Sequence, residues 1–194
     1  MLAFGRLTSV IFLLLSLSFL TCALPTPAGQ TNALAARGTG AELLQICADL
    51  QVNVQAKVDV IANVDIEALV DVEAHVDAMV DLVTVAAKAI VALGVNLDID
   101  VAVKAQIAVH IAVVIRLIVN LCITLVAKLG VTVLLALLAK IDVCLQLLLV
   151  NLSVVVEGIV VLVAKLLVNL TAQVFVNVHL NLCLNILGLV GLSL

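Results

Sequence analysis

No proline follows Pro27 in this 194-residue chain, so few positions can end a helix. The credible breaks in the chain are glycines: Gly94, Gly130, Gly158 and Gly188. A β domain of this size needs a turn about every eight to twelve residues. The segments between these breaks run to roughly twenty to fifty residues, which suits helices better. We therefore predict a mainly α fold, a bundle of long Val/Leu/Ala-rich amphipathic helices.

Two local patterns support helices. Arg116, Asn120, Thr124, Lys128 and Thr132 recur every four residues with apolar residues between them, so a helix would place them on one arc. Thr39 and Glu42 precede an apolar run and have the spacing of a capping box. This second pattern predicts that a helix starts at about residue 40.

A Val-rich β assembly is the alternative fold. Residues 49–60, 98–110 and 169–185 alternate polar and apolar side chains, which is typical of half-buried strands. Valine also favours strands over helices. Three similar heptapeptides, residues 125–131, 137–143 and 162–168, each place one lysine among apolar residues. They indicate either one recurring unit or the low complexity of a chain built from few residue types.

The N-terminal residues predict export. Arg6, an apolar run over residues 10–20 and a possible cleavage point after Ala23 are typical of a secretory signal peptide, residues 1–23. Residues 24–40 mix Pro, Gly, Ala and Thr and are interpreted as a linker or short pro-segment. The remaining residues, 41–194, have the length of a single domain. We expect a secreted protein of the extracellular space or cell wall.

Charge divides this domain into two halves. Residues 41–100 form an acidic half, with eleven Asp and Glu against Lys57 and Lys88. Residues 101–194 form a strongly apolar half, with five basic residues against Asp142 and Glu157. The net charge is −4 and the chain has no Trp or Tyr. A nucleic-acid partner would require a basic face or aromatic stacking platforms, so this class is excluded.

Catalytic and cofactor motifs are missing from the sequence. It contains no nucleophile elbow, P-loop or dinucleotide fingerprint, so we predict a protein that is not an enzyme and has no cofactor. Glu67, Asp71 and His75 are spaced by four, so a helix would place them on one face as a candidate metal site. The alternative interpretation is a solvated acidic stripe.

Cysteines and glycosylation sequons are the remaining candidate sites. An even number of cysteines in a secreted domain predicts two disulfides in one of three connectivities, and the alternative is buried free thiols. The candidates are Cys47, Cys122, Cys144 and Cys183. Asn151 and Asn169 each begin an Asn-X-Ser/Thr sequon and are candidate glycosylation sites.

Residues 131–150 are long enough to cross a bilayer but contain Lys140 and Asp142. Each such charge costs about 2.5–3.5 kcal/mol at mid-bilayer, whereas each Leu, Val or Ile gains only tenths of a kcal/mol. We therefore predict that this segment packs on its neighbours or lies along an apolar boundary, although the mean hydropathy of the chain is +1.40.

The layout of the chain is similar to a known group of proteins. A signal peptide, a short proline-containing leader, a first mature cysteine in Ile46-Cys47-Ala48-Asp49-Leu50, an acidic half and an apolar half resemble small secreted structural proteins of mushroom-forming fungi. The resemblance implies a protein of the hyphal surface that acts beside hydrophobins. The chain is not itself similar to a hydrophobin, because that family's paired Cys-Cys steps are absent.

Two functions remain as expectations. The first is a secreted, non-enzymatic, amphiphilic structural protein that acts at a cell-wall, air–water or other apolar interface through self-assembly. Its partners would be itself, as a homo-oligomer, or the apolar interface. The alternative is a lipid-binding or membrane-associated protein, including a transmembrane one, whose partner is lipid.

Overall fold

Regular structure in the chain is helical. The computed structural model describes residues 28–63, 66, 69–170 and 172–188, and no strand occurs among them. The mainly α prediction is confirmed, and the β alternative is wrong for the described residues. The helices are α1 (Ala28–Asn63), α2 (Leu69–Ala92), α3 (Val101–Leu129), α4 (Val131–Val155), α5 (Ile159–Leu166), α6 (Ala172–Asn177) and α7 (Asn181–Ile186).

The chain divides into two compact units, residues 1–35 and residues 36–194. In the first unit only residues 28–35 are described, and they are helical, so the predicted signal peptide lies outside the described residues. Residues 28–40, within the predicted linker or pro-segment, belong to α1. The prediction that a helix starts at Thr39 and Glu42 is therefore wrong. Ala-rich residues 33–36 favour helix, and a helical glycine costs only about 1 kcal/mol.

The four predicted breaks are all confirmed. Gly94, Gly130, Gly158 and Gly188 have φ values of 119°, 82°, 71° and 67°, in the region that favours glycine. Gly130, with ψ 150°, is the single residue between α3 and α4. This combination of φ and ψ is nearly exclusive to glycine. Sequence reasoning missed the break after α1, where the Asn63 amide donates to the Asp59 carbonyl oxygen at 2.7 Å.

The helices of the acidic half bury narrow stripes. In α1 the buried residues recur at alternating steps of three and four, which is the spacing of one helix face. The buried stripe of α2 is Val72, Val76, Met79, Val83, Ala87 and Ile90, and α4 buries residues at the same spacing: Leu137, Ile141, Cys144, Leu148, Leu152 and Val155. In α3 and α4 the buried faces are wider than these stripes. The outward sides of α1 and α2 carry acidic residues such as Asp49, Asp59 and Asp81 together with exposed valines such as Val52 and Val85.

The segments with strand-like alternation form helices because they also contain apolar residues at the three- and four-residue spacing of one helix face. Within residues 49–60, Leu50 and Val54 are buried, whereas Val52 and Val60 are 66% and 46% exposed. The helix therefore leaves two of the alternating valines outside the core. Residues 98–110 supply the start of α3, where Asp100 caps the helix by accepting from the Ala102 N–H at 3.4 Å.

Helices of residues 36–194 stack in two layers. Gly40 lies beside Ile99 and Val103, and His110 Nδ1 donates to Gln51 Oε1 at 2.6 Å, so α1 and α3 run in the same direction. In the other layer α2 and α4 also run in the same direction, as shown by contacts of Asp77 with Lys140 and of Ala87 with Asn151. Since α3 and α4 are joined by Gly130, they form the middle hairpin of this array.

The C-terminal helices extend each layer. The Lys104 ammonium donates to the Glu157 carbonyl oxygen and the Arg116 guanidinium donates to the Leu166 carbonyl oxygen, which places α5 along α3. In the second layer the Asp142 carboxylate accepts from the backbone N–H groups of Leu182 and Cys183 and holds α7 against α4. Arg116 thus satisfies a carbonyl at the C-terminal end of α5 and Asp142 satisfies N–H groups at the N-terminal end of α7, whereas Lys104 binds the carbonyl just before α5.

The three lysine-containing heptapeptides are not one structural unit. Residues 125–131 span the junction of α3 and α4, residues 137–143 lie inside α4, and residues 162–168 run past the end of α5. The unit that does recur is a helical hairpin, of which α1–α2 is the first and α3–α4 the second. Its length exceeds the spacing of the heptapeptides, so the short sequence similarity is explained by composition.

Two glycine-to-alanine substitutions should have opposite effects. Gly130→Ala should lower the free energy of unfolding by about 1–3 kcal/mol, because alanine disfavours the backbone conformation at this residue. Gly38→Ala should raise it by about 0.5–1 kcal/mol, because Gly38 is exposed and helical and a new Cβ would meet nothing within 4 Å. Urea denaturation followed by circular dichroism measures both. Changes of the same sign in the two variants would contradict this assignment.

Candidate functional site: the outer face of α4

Both sides of α4 are apolar. Its inner side is buried against the rest of the array, as expected for a core helix. Its exposed side chains include only three polar ones, Thr132, Lys140 and Ser153. The others form what we call the outer face of α4: Val133, Leu135, Ala136, Ala139, Val143, Val150 and Val154. A helix that is apolar all round is normally buried on all sides, so this exposed face is unusual in water.

Neighbouring helices leave the outer face uncovered among the described residues. At 100° per residue, the contacts with α2 through Lys140 and Asn151 and the contact with α7 through Asp142 lie on nearly opposite flanks of α4. The middle hairpin places α3 behind α4. Val143, 55% exposed, and Val150, 41% exposed, point away from all three of these helices.

A groove between α2 and α4 extends the outer face. Its volume is about 470 Å³, compared with about 310 Å³ and 160 Å³ for two grooves on α3. Small and apolar side chains line most of it: Val80, Thr84, Ala136, Ala139, Lys140, Val143, Cys144 and Leu147. The Lys140 ammonium is the charged group of this lining.

The two charges of α4 are both paired. Lys140 donates to Asp77 Oδ1 at 2.8 Å, and this hydrogen bond raises the pKa of the lysine. Asp142 is only 5% exposed, and its two oxygens accept from the N–H groups of Leu182 at 2.8 Å and Cys183 at 2.9 Å. A buried carboxylate is tolerated when backbone donors replace its lost hydration. Both partners are distant in sequence, so the pattern of α4 alone did not predict them.

Within the part of the chain that the structure describes, two helices meet the length and hydropathy criteria for a membrane span, α3 and α4. Each has an 18-residue window of mean hydropathy 2.4, and half of that window is buried inside the protein. Core helices of soluble proteins meet the same criteria. The prediction that residues 131–150 pack on their neighbours agrees with the buried half of α4.

The candidate metal residues are described only in part. Glu67 and the side chain of Asp71 lie outside the described residues, and His75 is half-buried on α2. Across residues 28–63, 66, 69–170 and 172–188, no group of three or more His, Cys, Asp or Glu side chains has an arrangement suited to a metal ion.

All four candidate disulfide cysteines are buried free thiols in this structure. Burial, and after it the charge of Cys144, raises the pKa of Cys122 to about 12. Burial, then Asp142, then Cys144 raise the pKa of Cys183. Pairing into two disulfides stays a prediction.

Cys47 lies apart from this group. It precedes Gln51 by four residues on α1, whereas Cys122 follows His110 by twelve residues on α3. Since Gln51 contacts His110 and the helices run in the same direction, Cys47 and Cys122 are separated by roughly 24 Å along the helix axes. Disulfide geometry allows at most about 7 Å between Cα atoms, so these two cysteines do not pair within this fold.

The two sequon asparagines occupy different environments. Asn151 is half-buried in α4, and Asn169 is exposed in the turn between α5 and α6. Sequence reasoning found both of them but missed the outer face of α4. Because α4 is apolar on every side, no periodicity in its sequence distinguishes the exposed face from the buried one.

No protein-family model and no curated protein matches the chain. The resemblance to secreted fungal hyphal-surface proteins therefore remains an expectation drawn from layout and composition.

Alkaline pH should destabilise the protein through its thiols. Burial raises the pKa of Cys47 from 9.0 to about 12. Between these values the folded protein keeps a proton that the unfolded chain releases, so the free energy of unfolding falls as pH rises. Between pH 8.5 and pH 10.5, the free energy of unfolding measured by urea denaturation should fall in both proteins. The fall should be about 2 kcal/mol smaller in Cys47→Ala than in wild type. Equal falls would indicate that Cys47 does not titrate, as expected for a disulfide.

Proposed function

We propose that this is a secreted, non-enzymatic, amphiphilic structural protein that acts at a cell-wall, air–water or other apolar interface. The outer face of α4 is the surface that meets the apolar phase or a second copy of the protein. The observation that carries this proposal is that the exposed side of α4 is nearly as apolar as its buried side.

The energetics favour transfer of this face out of water. Fully burying a Val or Leu side chain contributes about 1.5–3 kcal/mol, so a half-exposed one contributes about 1 kcal/mol. Seven such positions, two of them small alanines, lie on one helix side. Soluble monomers rarely expose contiguous apolar patches of more than a few hundred Å². The stabilisation available from covering the five Val and Leu positions, about 5 kcal/mol, is therefore comparable with the lower end of the roughly 5–15 kcal/mol that holds a typical domain folded.

The rest of the array supplies a water-facing side. α1 and α2 expose acidic residues such as Asp49, Asp59 and Asp81, and α3 exposes Asn120, Thr124 and Lys128. These polar groups lie on elements other than α4, so most of the charged surface is separated from the outer face of α4, although valines such as Val52 and Val85 are exposed among the polar groups. Such separation is what an amphiphile needs in order to orient at a boundary between two phases.

A lipid-binding or membrane-associated protein, including a transmembrane one, is the second candidate. The length and hydropathy of α3 and α4 favour it, because a hairpin of two such helices could insert into a bilayer. Native mass spectrometry of the secreted material separates the two candidates. A lipid carrier retains lipid at fixed stoichiometry, whereas an interfacial protein appears lipid-free as monomer or oligomer.

Surface activity should depend on the outer face of α4. The wild-type protein should lower the surface tension of water at micromolar concentration. Val143→Glu/Val150→Glu should need at least about tenfold more protein for the same effect, because two charges would have to lose their hydration. Both side chains are exposed, so folding should change by less than about 0.5 kcal/mol per site.

The matched control is Val52→Glu/Val60→Glu. These valines are equally exposed but lie on α1, and the control adds the same charge. It should retain surface activity near that of wild type. Equal losses in both double variants would show that net charge controls the effect and would contradict the assignment to α4, and a wild type without surface activity would contradict the function.

A further inference from the structure

The two polar side chains of the Asn151 sequon make hydrogen bonds within the fold. The Asn151 amide, in the interior of α4, donates to the Ala87 carbonyl oxygen of α2 at 2.8 Å. The hydroxyl of Ser153 donates to the Val150 carbonyl oxygen at 2.7 Å. A sugar on the Asn151 amide nitrogen would stand between α2 and α4 and remove a contact that joins them. The structure therefore explains both polar residues of this sequon without glycosylation.

Asn169 has the opposite environment. It lies in the turn between the end of α5 at Leu166 and the start of α6 at Ala172, and its side chain is exposed. Its neighbour Val168 is 69% exposed, so the surface around it is open. Glycan acceptors are expected in exposed surface loops of secreted proteins.

Charged side chains are scarce in the C-terminal part of the described array. Stacked helical repeats require terminal units with polar outer faces, because an end unit has a neighbour on one side only. At the N-terminal end, α1 and α2 supply charged side chains such as Asp49, Asp59 and Asp81, beside exposed valines such as Val52 and Val85. At the other end, residues 156–188 contain one acid and one base, Glu157 and Lys165. The same segment exposes uncharged polar side chains, among them Gln173, Asn177 and Asn181, and five large apolar ones, Val161, Leu166, Val168, Val176 and Leu182.

We infer that Asn169, and not Asn151, carries an N-linked glycan, and that this glycan is the polar cap of the C-terminal end of the array. The donor is a lipid-linked diphospho-oligosaccharide. The Asn169 amide nitrogen forms a bond to C1 of the first sugar and loses a proton, while the C1–O bond to the diphosphate breaks and the lipid diphosphate leaves. The carbohydrate then covers a surface that has almost no charge of its own.

This inference rests on the proposed function in one respect, which is that the protein passes through a secretory pathway. The full chain is therefore expressed in a eukaryotic host behind an added secretion signal, so that translocation does not depend on residues 1–23. Intact mass before and after peptide N-glycosidase is compared for wild type and for the variants Asn151→Gln, Asn169→Gln, Thr171→Ala and Thr171→Ser.

The expected result is one glycan in wild type, Asn151→Gln and Thr171→Ser, and none in Asn169→Gln and Thr171→Ala. A glycan that persists in Asn169→Gln, or a wild-type chain without one, overturns the assignment. A wild-type protein that carries the glycan but has no surface activity would contradict the proposed function and not this inference. The two failures are therefore distinguishable.

The capping role is tested in Val143→Glu/Val150→Glu, where association through the outer face of α4 is suppressed. Sedimentation velocity should give monomer for the glycosylated variant and a shift to larger species after the glycan is removed enzymatically. A monomer before and after removal overturns the capping role.

Discussion

The reversal of the chain at Gly130 is the constraint on which the other elements depend. A single residue joins helices of 29 and 25 residues, and its backbone conformation is available almost only to glycine. The reversal holds α3 and α4 side by side as a hairpin, with a flank of each helix free for a neighbour. Next to them, α1 and α5 pack against α3, and α2 and α7 pack against α4, whereas α6 packs against α7, so the array is organised around the middle hairpin.

Polar contacts from the middle hairpin to the C-terminal segment follow one rule, because most of the available side chains there are apolar. The charged groups that reach this segment bind its backbone atoms: Lys104, Arg116 and Asp142 each do so, whereas Lys140 pairs with the Asp77 side chain of α2. A short helix leaves most of its backbone groups without internal partners, so one charge at its end satisfies a relatively large part of its hydrogen-bonding requirement. This allows a segment with almost no charged residues to be held in a defined position.

The sequence predicts some elements of the fold and of the candidate site better than others. Helix breaks at Gly94, Gly130, Gly158 and Gly188 were predictable because their cause is local, a backbone conformation that glycine adopts. The strand-like alternation of residues 49–60 misled because the same valines satisfy two periodicities, and only tertiary packing selects one. The outer face of α4 and the partners of Asp142 could not be predicted, since burial depends on residues that are distant in the sequence and α4 has no polar side to orient it.

The stepwise stacking of hairpins has a consequence for how the protein comes apart. Each unit touches only its neighbours, so loosening at one end does not require the other end to open. α6 and α7 are six residues each and cannot persist as isolated helices. Amide hydrogen exchange should therefore be graded along the array, fastest in α6 and α7 and slowest in α3 and α4. Detachment of these two helices would uncover a flank of α4 next to its outer face, so partial opening enlarges the apolar surface before the middle hairpin is lost.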